Sequence, residues 1–169
     1  MELVVLVNEQ NKRIGTKPKK GVHTKDTPLH RGFSLFLFNS KRELLLTRRA
    51  LNKKTFPGVW TNTVCGHPGP KESNTVAARR RLKEELGIRV VDIKEAAAYR
   101  YRFSDANGIV ENEICPILVA YSESDPAANL QEIVDWKWVK WEEFLEDLNK
   151  NPGSYSPWSR EEAQILNQL

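Results

Sequence analysis

The chain has 169 residues, 40% of them hydrophobic and 28% charged, with a formal net charge of +4; that is enough for one soluble globular domain with its own core. No apolar run approaches membrane-spanning length, two cysteines are too few for a disulfide framework, and no zinc-finger spacing or aromatic RNA-binding signature is present, so membrane spans, disulfide scaffolds and nucleic-acid readers are set aside. The start, Met1-Glu2-Leu3-Val4-Val5, lacks the basic region and long apolar core of a secretory signal, and a cytoplasmic location is expected.

Residues 3–7 read as a first strand. Lys12, Arg13, Lys17, Lys19, Lys20 and Lys25 then crowd a segment read as a loop, either solvated or facing an anionic ligand. Residues 33–38 and 43–47 flank Asn39-Ser40-Lys41-Arg42, which predicts a hairpin. Residues 59–64 are a further short strand. Residues 74–86 are a helix, capped by Ser73 or Asn74 and ended by Gly87, with Ala78, Leu82 and Leu86 on one apolar face. Strands are predicted at 90–93, 97–103, 109–121 and 135–139, and helices at 141–149 and 159–169. This mixture predicts an α/β (α+β) domain built as a sandwich, one domain spanning 1–169.

Two short patterns carry chemistry. In Cys65-Gly66-His67 a thiol lies two residues from an imidazole, and Glu111-Asn112-Glu113 repeats the spacing with carboxylates. In extended chain each pair projects onto one face. A thiol, an imidazole and two carboxylates lining one cavity suggest a metal site with a proton-transfer pair beside it. Cys115 lacks such a context and reads as a core residue. Ile109, Val110, Ile114 and Ile117 flank the carboxylates, so their strand is expected to be central and half-buried, and the carboxylates to need partners.

From Gly66 the chain runs Gly-His-Pro-Gly-Pro-Lys-Glu72 and later Arg80-Arg81-Leu82-Lys83-Glu84-Glu85-Leu86-Gly87. This is similar to the Nudix box, with one departure: Arg81 stands where the box has glutamate. Glu84 and Glu85 near one helix end, with Arg81 three and four residues before them, are a group that can hold a hard cation such as Mg²⁺ against phosphate oxygens.

A second resemblance spans nearly the whole chain. His23-Thr-Lys-Asp-Thr-Pro-Leu-His30-Arg31, Thr47-Arg48-Arg49-Ala50-Leu51, Lys54-Thr-Phe-Pro-Gly-Val-Trp60, the Cys65 segment, Tyr99-Arg-Tyr101-Arg102, Gly108-Ile-Val-Glu-Asn-Glu113 and Ser156-Pro157-Trp158 resemble the type 1 isopentenyl-diphosphate isomerase family. Its members carry a degenerate Nudix box, which accounts for Arg81. The resemblance implies the Nudix αβα sandwich with a mixed central sheet, and interconversion of isopentenyl and dimethylallyl diphosphate through a tertiary carbocation.

It further implies that all three histidines of the chain, His23, His30 and His67, join Glu111 and Glu113 around one divalent metal, with Mn²⁺, Zn²⁺ and Fe²⁺ all compatible. Cys65 and Glu113 are the implied acid–base pair, Tyr101 an aid to Glu113, and Trp158 a face for the cation. Glu85 and the Cys65 carbonyl are implied to hold Mg²⁺ on the diphosphate, and Arg49, Lys53 and Arg81 to bind its oxygens. The basic, histidine-bearing segment at about 10–31 is expected to close the site, and a monomer acting on a small prenyl diphosphate is expected. Two other functions compete: a Mg²⁺-dependent diphosphate hydrolase, which the Arg81 departure disfavours, and a non-catalytic diphosphate-binding module, which would not need both a thiol and a metal-bound carboxylate.

Overall fold

The computed structural model describes residues 1–169. The elements are β1 (Leu3–Val7), β2 (Arg13–Pro18), β3 (His30–Arg31), β4 (Phe33–Phe38), β5 (Glu43–Arg49), β6 (Trp60–Thr61), β7 (Val64–Gly66), α1 (Asn74–Leu86), β8 (Ile93–Ala97), β9 (Arg100–Ser104), β10 (Val110–Ile114), β11 (Ile117–Tyr121), β12 (Ile133–Lys140), α2 (Trp141–Lys150), a 3₁₀ turn at Pro152–Ser154 and α3 (Pro157–Asn167). No helix is long and apolar enough to cross a membrane.

The strands form two mixed sheets, one ordered β2-β1-β3-β10-β9 and the other β12-β5-β4-β11-β8, with β6 added to β5 and β7 to β4. The larger sheet is buried on both faces because β4 is apolar on both. Phe33, Leu35 and Leu37 pack with Ala78, Leu82 and Leu86 of α1. Phe36 faces the other way, into Phe144 and Leu148 of α2 and Ala163 of α3. The period of two thus builds a helix–sheet–helix sandwich, and truncating a buried Leu or Phe of this strand to Ala would cost about 2–5 kcal/mol.

Helix α1 begins where the Ser73 hydroxyl accepts from the Val76 N–H at 3.2 Å, and ends at Gly87 in the left-handed region, φ 65°. Its buried face has two rows: Ala78, Leu82 and Leu86 go to the core, while Arg81 and Glu85 follow Ala77 at spacing four and carry charge inward.

Five expected elements differ. The strand expected at 59–64 is two, β6 on β5 and β7 on β4, and the one expected at 97–103 begins at Arg100. The basic segment read as loop contains β2, an edge strand paired with β1 from Leu3↔Pro18 to Val7↔Arg13; an edge strand needs no buried face and tolerates lysines. The strand expected at 90–93 begins only at Ile93. The strand expected over 109–121 is two, because Pro116 has no N–H to extend a ladder. β10 pairs with β3, and β11 with β4, both in parallel. The chain therefore changes sheet at Cys115–Pro116 and, beside it, at Gly32, whose N–H donates to Ile114 O at 2.9 Å.

Candidate active site and metal centre

Where the two sheets part, a cavity of about 880 Å³ opens, lined among others by His23, Cys65, His67, Glu113, Tyr101 and Trp158. Register explains much of this convergence. Glu113 is paired with Tyr101 on one side and with His30 on the other, so all three project onto one face of the smaller sheet. Glu111, two residues earlier, shares that face. β10 is a central strand, as expected, and both its carboxylates are buried. β7 brings Cys65, paired with Ser34 of β4.

The three imidazoles form a triangle with centroids 5.1, 5.3 and 5.6 Å apart. His67 Nε2 lies 2.8 Å and His30 Nε2 3.2 Å from one oxygen of Glu113, while His23 Nε2 lies 3.0 Å from Glu111. The ligand atoms of His23, His30, His67, Glu111 and Glu113 all fall within 4.8 Å of one another. Nε2 of His23 and of His30 are buried yet have no well-formed hydrogen bond, whereas His67 Nε2 is hydrogen-bonded to Glu113. The outer edge of the cluster is pinned. His30 Nδ1 is 2.8 Å from Pro28 O, which presents Nε2 inward, and Thr55 donates its hydroxyl to Glu111. Three imidazoles and two carboxylates converge here, two of the imidazole Nε2 atoms without a well-formed hydrogen bond, and that donor set fits a divalent transition metal.

The electrostatics tie two of the imidazoles to Glu113. Burial opposes charge on His67 and lowers its pKa, leaving the neutral imidazole a metal requires. Burial opposes charge on His30 as well, but the Glu113 hydrogen bond and charge outweigh it and raise its pKa. Glu113 is held well below the usual carboxylate range: burial works against its charge, and His67 and His30 overcome it.

The thiol lies behind the cluster. Cys65 Sγ donates to Asn62 Oδ1 at 3.3 Å and lies 3.6 Å from Ser34 Oγ. Asn62 is itself fixed, its amide donating to Leu35 O at 3.1 Å and Val64 O at 3.2 Å. Burial, with the Glu162 carboxyl adding to it, pushes the Cys65 thiol up to about 12, so the resting group is SH. Cys115 is buried, as expected of a core residue, with Sγ 3.4 Å from Ser34 Oγ.

The aromatic wall is continuous. The Trp158 and Tyr101 rings stack at 5.6 Å with 21° between planes, and Phe103 and Tyr99 extend the stack from Tyr101. Phe56 meets Trp158 edge-on at 5.2 Å. Tyr101 is the cross-strand partner of Glu113, but no hydrogen bond joins its hydroxyl to that carboxylate.

The charged end of the cavity comes from α1 and the loop after β5. Arg81 donates to Glu84 at 2.9 Å and also pairs with Glu85. Burial raises the pKa of Glu85 even though Arg81 and Lys53 counter it. Glu84 lies outside the main cavity, whereas Glu85 lines it. Arg49 is turned inward, donating to Thr55 O at 2.9 Å and Phe56 O at 3.2 Å, with its guanidinium 5.6 Å from the Trp158 ring. Two other residues of the Nudix-like pattern are structural. Glu72 accepts from Arg80 at 2.9 Å and from Gly69 N–H at 3.0 Å, and a Cβ at Gly66 would lie 2.9 Å from the Phe33 ring.

Several contributors went unnoticed in the sequence. Gly32, Ser34, Thr55, Asn62, Glu132 and Glu162 all touch or frame the site. Glu162 had a signal, since it follows Trp158 by one helical turn and so shares its face.

A sequence model of the NUDIX domain matches residues 28–159. An isopentenyl-diphosphate Delta-isomerase of Saccharopolyspora erythraea is 45% identical over 170 residues, covering 100% of this chain and 88% of that protein. The protein of the same name from Corynebacterium glutamicum strain R is 48% identical over 164 residues, covering 94% and 87%. Among solved structures, a protein from Deinococcus radiodurans superposes with a TM-score of 0.79 over 97% of this chain and 98% of its own, at 21% identity. A MutT protein from Methanosarcina mazei superposes at 0.68 over 83% and 94%, at 23% identity. These last two likenesses carry the fold.

Proposed function

The chain belongs to the isopentenyl-diphosphate Delta-isomerase family and its NUDIX domain, and on that premise we propose how its residues divide the work. The reaction interconverts isopentenyl and dimethylallyl diphosphate. A proton is added at one end of an allylic unit and another is removed at the other end, with positive charge on the tertiary carbon between. No carbonyl spreads that charge, so the site needs a firmly placed donor, a firmly placed acceptor and a wall the cation does not alkylate.

The observation that supports the assignment best is that Cys65 and Glu113 line one cavity in complementary states, the thiol protonated on Asn62 and the carboxylate ionised among the histidines. One gives the proton and the other takes it. In the reverse reaction each plays the opposite part. Tyr101, paired with Glu113 in register, would pass a proton between that carboxylate and the alkene. The stacked faces of Trp158 and Tyr101 offer electron density to the cation, about 0.5–2 kcal/mol for such a contact, and exclude water that would trap it.

His23, His30, His67, Glu111 and Glu113 would hold one divalent ion, with Mn²⁺, Zn²⁺ and Fe²⁺ all matching the donor set. Glu85, with the Cys65 carbonyl, would hold Mg²⁺ on the diphosphate. The bound cations supply charge that fixes Glu113 and neutralises phosphate oxygens. Arg49, Lys53 and Arg81 bind the diphosphate, and their present partners give way to it. Residues of the segment at about 10–31, which already contribute Lys19, Lys20 and His23 to the cavity wall, close over the ligand.

Incubation of the metal-loaded protein with isopentenyl diphosphate in D₂O, read by proton and phosphorus NMR, tests this. Deuterium in the methyl groups of dimethylallyl diphosphate with no phosphate released is the expected result. Released phosphate would make the protein a hydrolase, and unchanged substrate would leave a binding module.

A further inference from the structure

Glu132, just before β12, is a carboxylate that the proton transfers do not use. Its Oε2 pairs with Lys53 Nζ and lies 3.5 Å from Arg81 Nη2. It lines the cavity beside Lys53, Arg81 and Glu85. The pairing is built into the backbone. Glu132 O accepts from Ala50 N–H at 3.0 Å, and Ala50 O accepts from Lys53 N–H at 3.2 Å, so acid and base are presented from one junction. Burial opposes the Glu132 charge, but the Lys53 hydrogen bond and the Lys53 and Arg81 charges hold its carboxyl below the usual range.

The charge balance here has a consequence for binding. Lys53 is paired with Glu132, and Arg81 with Glu84, Glu85 and Glu132, whereas Arg49 has only backbone oxygens and the Thr55 hydroxyl as hydrogen-bond partners. A diphosphate arriving without a metal finds Lys53 and Arg81 already paired and meets the like charges of Glu85 and Glu132. A diphosphate carrying Mg²⁺ offers those carboxylates a counter-charge and takes over the cations. Repulsion of the wrong species is the usual way a site sharpens a preference that attraction alone leaves weak.

We infer that Glu132 is a specificity residue: it holds Lys53 and Arg81 until a metal-bound diphosphate displaces it, and it turns away the metal-free anion. The inference rests on the assignment of Lys53, Arg81 and Glu85 to the diphosphate end.

The test is calorimetric titration of the saturated analogue isopentyl diphosphate into the purified protein, with excess Mg²⁺ and in buffer without added Mg²⁺. Wild-type protein should bind the Mg²⁺ complex at least about tenfold more tightly than the free anion. Glu132→Gln, which keeps shape and one acceptor, should reduce that ratio to about threefold or less, chiefly by tightening the metal-free complex. Lys53→Met serves as the contrast and should weaken both complexes alike. An unchanged ratio in Glu132→Gln, or equal weakening of both complexes, would overturn the inference and leave Glu132 a prop for its cations. Wild-type protein that binds the analogue under neither condition would instead overturn the placement of the diphosphate itself, and the inference with it.

Discussion

Gly32 lacks a side chain because the Glu113 carboxylate occupies that space. A Cβ at Gly32 would lie 2.8 Å from Glu113 Cδ and closer still to Oε2. The glycine follows β3 directly, so it lets the strand carrying His30 run beside β10 while Glu113 reaches His30 and His67. Gly32→Ala should therefore fold, by circular dichroism, but bind the histidine-cluster metal about 10–100-fold more weakly. Gly153→Ala is the control: nothing lies within 4 Å of the added Cβ. Metal content by mass spectrometry after dialysis reads both, and equal occupancy in the two variants would refute the steric account.

The five groups that converge in the cluster were named in the sequence through the family resemblance; the residues alone offered the Cys65–His67 spacing and two carboxylates two residues apart on a strand with apolar flanks. The sandwich was legible in the order of strands and helices and in the spacing of Ala78, Leu82 and Leu86. What stayed hidden depends on partners distant in sequence. Gly32 matters only because Glu113 comes to it across a parallel pairing, and Glu132 only because Lys53 and Arg81 meet it. β2 was hidden differently, since a lysine-rich edge strand and a solvated loop have the same composition.

Cys65→Ala should lower kcat by about 10²–10⁴-fold, the usual weight of a positioned proton donor or acceptor. Affinity for isopentyl diphosphate should change little, because the thiol lies away from the charged end. In a Cys115→Ser background, alkylation of the metal-free protein by iodoacetamide should be slow near neutrality. It should rise about tenfold per pH unit, because the thiolate that reacts is scarce when the thiol is pushed up to about 12. Fast alkylation at neutral pH, or unchanged kcat in the alanine variant, would remove Cys65 from the proposed role.

Chelation should both inactivate and destabilise. The five ligands converge only in the folded chain, so a bound ion stabilises by mass action, about 2.7 kcal/mol when free metal is a hundred times its dissociation constant. Without it, His30 stays buried and His23 and His67 half-buried beside one another. Thermal melting before and after chelation, then with Mn²⁺, Zn²⁺ or Fe²⁺ restored under anaerobic conditions, should show a fall and a recovery. His30→Gln should abolish the recovery. A melting temperature insensitive to both chelator and metal would argue against a metal in this cluster.

Glu162 predicts a pH dependence with a definite sign. It lies one turn beyond Trp158 on α3 and is fully buried, and neither carboxyl oxygen has a hydrogen-bond partner. Burial, only partly offset by Ser34 and helped by the charges of Glu113 and Glu161, pushes its pKa well above the ordinary value, so the folded protein keeps this proton. The unfolded chain releases it near pH ~4.3. Between the two values the folded state binds more protons than the unfolded state, and stability falls as pH rises. The contribution is fully present below the unfolded pKa and is lost progressively above it, up to the folded pKa. Glu162→Gln keeps the shape and cannot ionise, so its stability relative to wild type should increase steadily as pH rises above about 5, until the folded pKa is passed. Urea midpoints for the two proteins across that range measure the difference. A difference that stays constant with pH would mean that Glu162 ionises as readily in the fold as outside it, and that the proton behind Cys65 is not held there.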